Sequence, residues 1–228
     1  MIDRLSADAA SLDASASSSD VIHHALRTAI IRGELAEGQT LRQDALAKMF
    51  NVSRIPVREA FKRLEAIGLV TSVRYKGVVV SRMSVADIEE IFDFRATVEP
   101  KLIAHAVPRM SAASLDAAQS LCDAFAQDDD ASRWGDLNRL FHSSLYVDAG
   151  LPYYYAAAEA ANDRVERYIR AQLSLAHGRA RAISEHQQIV DACRQGDADR
   201  AAELTRRHIV TASQSLIAVL NQNSDTPA

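Results

Sequence analysis

The sequence predicts a mainly α protein in two parts: an N-terminal winged helix-turn-helix domain and a C-terminal, all-α, antiparallel helix bundle. Three observations carry this. Among 228 residues, 40 are Ala against only 8 Gly and 5 Pro, an excess of the best helix former over breakers. From Val21 to Arg82 there are 11 Lys+Arg against 5 Asp+Glu, whereas from Met83 onward there are 14 against 21, so a small basic segment precedes a larger acidic one. Between the two lies LVTSVRYKGVVVS, a pair of short β-type runs around Tyr75-Lys76-Gly77.

Residues 1–19, rich in Ser, Ala and Asp, read as a disordered leader. Three acids in the first thirteen residues and the lack of an apolar core exclude a signal peptide. No run approaches ~18 apolar residues, so no membrane span is expected. Cys122 and Cys193 are too few for a disulfide framework and read as reduced thiols, which points to the cytoplasm.

Residues 20–82 form the predicted winged helix-turn-helix domain. Asp20 is placed to cap a first helix with Ile22, Leu26, Ala29 and Ile30 inward, ending at Gly33. A second runs from about Gln43 to Phe50. Ser53 occupies the N-cap position of the third, and Pro56 falls in its first turn, where a missing N–H costs little. Three short helices followed by a ribbon put the third helix in the DNA major groove, N-terminus first. Arg54 and Arg58 share a face four residues apart, and their guanidinium forks suit guanine edges or phosphates. The N–H groups beside Ser53 can hold a phosphate, and Arg74 and Lys76 at the ribbon tip can reach backbone or minor groove. The bland alternative for the arginines is a solvated face, with Arg58 paired to Glu59.

Residues 83–222 break into helical segments at Pro108, Asp128–Asp130, Gly150-Leu151-Pro152, Gly178 and Gly196. Residues 223–228 read as a flexible tail. Helical periodicity turns several polar residues inward. Arg95 falls in the stripe Ile88, Ile91/Phe92, Arg95, Val98/Glu99, Leu102 and needs an anionic partner, either a bound carboxylate ligand or an acid such as Glu99. Asn138 and His142 share one helix face, and His186 and His208 lie in the apolar stripes of two others. A single inward His is ordinarily a core residue. Three on three helices of one bundle are how bundles build metal sites. His23, His24 and His105 match no pattern, and His177 reads as a helix C-terminal cation.

The stretch from Ile30 to Val80 resembles the DNA-binding domain of the GntR family of bacterial transcription regulators, with Val-Ser-Arg-x-Pro-Val-Arg-Glu-Ala at Val52 to Ala60 and Arg-Leu-Glu-Ala-x-Gly-Leu-Val at Arg63 to Val70. The helical half resembles the FadR-type C-terminal domain (FCD) of that family. The resemblance implies a ligand-responsive regulator, expected to be a repressor, that binds a near-palindromic double-stranded operator as a homodimer through Arg54 and Arg58, with Gly77 at the wing. Ile55 stands where the family usually has a small polar Thr, which puts one phosphate hydrogen bond in question but not the domain. The resemblance also implies a divalent metal held by Asn138, His142, His186 and His208, with a small organic acid as effector at Arg95. Asn in place of the frequent Asp leaves that site one negative charge short. Three imidazoles and an oxygen suit Zn, Ni or another late divalent ion. Two competing readings are a metal-free pocket for an apolar or acyl effector, and a metal-dependent enzyme using Asp136 or Glu185 as base. The second gives the basic winged-helix unit nothing to do, so the chain is expected not to be an enzyme.

Overall fold

The computed structural model describes residues 17–175 and 178–224. The chain divides into two compact units between Met83 and Ser84. The expected leader up to residue 16, the role expected of His177, and the tail from residue 225 lie outside the described residues.

The first unit begins with α1 (Ser18–Ile31), entered by a capping box. Ser17, not Asp20, is the N-cap. Its hydroxyl accepts from the Asp20 N–H, and the Asp20 carboxylate accepts in return from the Ser17 N–H at 3.2 Å. The sequence offered a row of serines and an acid, and the acid three residues after a Ser is the N3 partner of such a box. Asp20 also holds Arg63 at 2.6 Å, tying α1 to α3. Next come β1 (Thr40–Leu41), α2 (Gln43–Met49), α3 (Arg54–Ala66), β2 (Val70–Val73) and β3 (Gly77–Val80). The sheet order is β1-β3-β2, both pairings antiparallel, with Thr71 opposite Val79 and Thr40 also opposite Val79 on the other edge. Two residues of β1 are too few to show alternation, so the third strand escapes a periodicity reading. The core joins Ile22 and Leu26 of α1 to Val57 and Leu64 of α3 and Val80 of β3. Each such side chain contributes about 1.5–3 kcal/mol on burial.

Among its described residues the second unit has six α-helices: α4 (Val85–Ala106), α5 (Ala112–Gln127), α6 (Ala131–Tyr146), α7 (Pro152–Leu173), α8 (Gly178–Arg194) and α9 (Ala198–Ser224). Helix α4 starts at a second capping box, Ser84 with Asp87. Short 3-10 turns at Val107–Arg109 and Val147–Ala149 extend α4 and α6 before Gly150, in the left-handed region at φ 66°, reverses the chain. Helix α4 lies in the middle of the unit and packs on α6, α7 and most extensively on α9. Leu102, Ile103, Phe141, Leu145 and Ile189 form the dry part of this core. Gly178 opens α8 so close to Gln172 that a Cβ would meet the Gln172 carbonyl oxygen at 2.3 Å, which explains Gly at that corner.

Candidate functional site

In the first unit, the front of α3 is open. Ser53 takes the N-cap position with extended backbone, but its hydroxyl makes no capping bond, so the first N–H groups of α3 have no side-chain acceptor from it. Ser53, Arg54, Ile55 and Arg58 are all exposed, Ile55 to 61%. Arg54 is held by Asp44 of α2 at 2.5 Å, a partner the sequence reading missed, while the Gln43 amide donates to the Arg54 carbonyl at 2.7 Å. Arg58 stands 3.9 Å from Glu59, which Lys62 approaches more closely at 3.2 Å. Such exposed pairs contribute little and yield easily to a phosphate. At the ribbon tip Arg74, Lys76 and Gly77 are all exposed, and Gly77 has φ 82°.

In the second unit, the inward polar residues meet. Asn138, His142, His186 and His208 are buried on α6, α8 and α9. One ring nitrogen from each His lies within 4.8 Å of those of the other two, and ring centroids are 5.0–5.1 Å apart. Asn138 sits one turn before His142 and lines the same small cavity, about 20 Å³, together with Arg95, His142, Arg181, Glu185 and His208. That is room for one water or a small ion.

The protonation logic of the cluster follows from its neighbours. Burial holds the pKa of His142 and His186 well below the usual imidazole value, and the adjacent histidines push the same way. His208 Nδ1 is 2.6 Å from Glu185 Oε2. A carboxylate accepts, so Nδ1 donates to it, leaving Nε2 as the nitrogen not engaged by Glu185. The Tyr146 hydroxyl lies 3.5 Å from His142 Nδ1 and donates to Glu99 Oε2 at 2.8 Å. Burial and Glu99 hold the Tyr146 pKa well above 10. His186 is different. It is 0% exposed, stacked on Phe141 at 4.3 Å, and neither of its ring nitrogens has a hydrogen-bond partner. A neutral imidazole keeps one bare nitrogen, and an unpaired one beside two other histidines fits a bound cation.

Arg95 has its anion within the chain. Its Nε donates to Glu99 at 2.6 Å, both side chains buried. Of the two partners left open by the sequence, the internal acid is present, and Arg95 also borders the cavity. Arg181, Tyr146 and the Glu185–His208 contact were not read as site features. Tyr146 had a signal, its i+4 spacing from His142. Arg181 and the 23-residue separation of Glu185 from His208 had none. Behind the site, Arg139 of α6 bridges Asp163 (2.6 Å) and Glu159 (2.7 Å) of α7.

A winged helix-turn-helix unit followed by a helical unit with an internal polar site defines a DNA-binding regulator with a sensing domain. Residues 18–80 match the model of the gntR family of bacterial regulatory proteins, and residues 90–211 match the FCD domain. The HTH-type transcriptional repressor GlaR of Escherichia coli (strain K12) is 30% identical over 199 residues, covering 82% of this chain and 90% of GlaR. A transcriptional regulator of the GntR family from Pseudomonas syringae pv. tomato str. DC3000, known as a crystal structure, is 30% identical with a TM-score of 0.54, covering 90% of this chain and 87% of that one. A GntR regulator from Rhodococcus sp. RHA1, 22% identical with a TM-score of 0.77 and covering 89% and 99%, shares the fold. The chain belongs to the gntR family of transcription regulators and carries an FCD domain. This family and these relatives are regulators, not enzymes. Among the described residues no helix is long and apolar enough to cross a membrane.

Proposed function

We propose that the protein is a cytoplasmic, homodimeric repressor whose affinity for a near-palindromic operator is set by a small organic acid bound in the helical unit beside a divalent metal ion. The observation that carries this reading is His186, buried with both nitrogens unpaired among His142 and His208. The residues to hold the ion are Asn138, His142, His186 and His208, all uncharged donors. When bound, the ion supplies positive charge and an open coordination position for a carboxylate. Arg95 orients that carboxylate with the guanidinium nitrogens that Glu99 does not occupy. The cavity's polar lining, with Arg95, Arg181 and Glu185 beside the histidines, favours an ion and an acid over an apolar effector.

On the DNA side, Arg54 and Arg58 face the major groove, Ser53 presents α3 N–H groups to a phosphate, and Arg74, Lys76 and Gly77 form the wing contact. Half-sites about 34–36 Å apart would match two copies of α3 in a dimer. An effector that favours one state of the helical unit needs a coupling of only about 1–3 kcal/mol to change operator affinity 5–150-fold.

The test is a thermal-shift screen of small organic acids with and without EDTA, joined to metal analysis of the wild type and of His142→Ala, His186→Ala and His208→Ala. The expected result is an acid that raises the melting temperature only in the metal-loaded protein, and variants that lose metal and effector response while binding operator normally. Metal-free wild type that still responds to the acid refutes the metal-assisted site.

A further inference from the structure

The wing tip carries a feature that cation-to-phosphate contacts do not use. The loop joining β2 to β3 is Arg74-Tyr75-Lys76, closed by the Lys76 N–H on the Val73 carbonyl at 3.0 Å. Its middle residue is in the left-handed region, φ 67°. Turn positions of that kind are held by Gly or Asn, because a Cβ there crowds the backbone. This chain places a tyrosine there, and its side chain is almost wholly in water: Tyr75 is 91% exposed. The ring therefore supports no core and is not retained for the folded hairpin. Only one other described non-Gly residue has positive φ, Asn51, and Asn is the residue type that tolerates it.

One face of the Tyr75 ring does have a neighbour. The Arg74 guanidinium lies over it, 4.9 Å from the centroid. The loop thus presents a flat aromatic plate with a cation stacked on one side, Lys76 beside it and, among the described residues, no neighbour burying the other. A strained position occupied by an exposed aromatic between two cations is a recognition feature, since strain that the fold does not need is kept where a ligand contacts it.

We propose that Tyr75 is itself a DNA-contacting residue: its free face packs against the deoxyribose wall of the minor groove while Arg74 and Lys76 reach the flanking phosphates. A ring slot between sugars is apolar and narrow, which suits an aromatic plate. This rests on the wing contact proposed above, and it adds a shape-dependent, salt-independent component to it.

The experiment uses the full-length protein and a duplex enriched by the wild type from a random-sequence pool, with affinity read by fluorescence anisotropy across a salt series. Tyr75→Asn keeps the left-handed backbone and removes the ring, and Tyr75→Phe keeps the ring. The expected result is that Tyr75→Asn melts no lower than wild type yet binds about tenfold more weakly, with an unchanged slope of log affinity against log salt. Tyr75→Phe binds like wild type. In an Arg74→Ala background, where the slope falls by about one, Tyr75→Asn still costs a similar factor. Wild-type affinity in Tyr75→Asn, or no further loss in the Arg74→Ala background, overturns the direct contact. Arg58→Ala separates the two layers of inference: if it weakens binding while Tyr75→Asn does not, only Tyr75 is misassigned, whereas if neither matters the whole interface is.

Discussion

Replacing His186 by leucine should stabilise the metal-free protein and abolish its stabilisation by metal. His186 is fully buried between Phe125, at 5.0 Å, and Phe141, at 4.3 Å, with both nitrogens unpaired. An unsatisfied buried polar group costs about 1–3 kcal/mol, and leucine is close to imidazole in volume while carrying no polar atom. Counting both nitrogens and allowing about 1 kcal/mol for the lost ring stacking, the net gain without metal is roughly 1–5 kcal/mol. At about 2–4 °C per kcal/mol for a unit of this size, the melting temperature rises by at least a few degrees above wild type. With metal at a hundred times its dissociation constant, wild type gains about 2.7 kcal/mol, which the variant forgoes. Differential scanning calorimetry in EDTA and in excess Zn²⁺ or Ni²⁺ should therefore show the variant's advantage shrink or reverse. A leucine variant that melts below wild type in EDTA refutes the claim that these nitrogens are uncompensated. One that keeps the wild-type metal shift removes His186 from the ligand set.

Arg58→Ala should weaken operator binding by about 1–3 kcal/mol if it reads a base edge, measured by anisotropy, and unchanged affinity removes it from the interface. Burial pushes the Glu166 carboxyl up to about 7 despite Arg170 and Arg139 nearby. The folded chain holds a proton there that the unfolded chain releases near 4.5, so stability falls as pH rises from about 4.5 to about 7. Glu166→Gln should leave urea stability at pH 4–5 nearly unchanged and raise it by about 3 kcal/mol at pH 8; parallel pH profiles contradict this. Arg179 donates to the carbonyls of Phe125, Ala126 and Asp128 at the end of α5 and stacks on Trp134 at 4.5 Å. Arg179→Met should cost about 2–4 kcal/mol in chemical denaturation, and a loss under 1 kcal/mol shows those carbonyls are satisfied otherwise.

Local chemistry made much of this legible. The helix breaks of the second unit stand at Pro108, Gly150-Leu151-Pro152 and Gly196, where Pro or left-handed Gly acts on its own backbone, whereas Pro100 is carried inside α4 without ending it. The inward histidines were visible because period 3.6 places them among Ile and Leu. Partners distant in sequence were not. Glu99 was one of several acids open to Arg95, and its selection depends on both side chains being sealed between helices. Glu185 and His208 meet only because α8 packs on α9. Asp44 reaches Arg54 only through the angle between α2 and α3. The N-cap at Ser17 was misplaced to Asp20 because both residues are good caps, and the box assigns them different roles.

Asn138 bears on how the proposed site would meet a changing metal supply. An amide in place of a carboxylate means that all four inward donors are neutral, so the helices can close around them without trapping a bare negative charge. If the proposed site takes an ion, folding would not have to wait for it, and the finished chain could gain or lose the ion as supply changes. A regulator built this way would outlast metal starvation and respond again on resupply, without new synthesis.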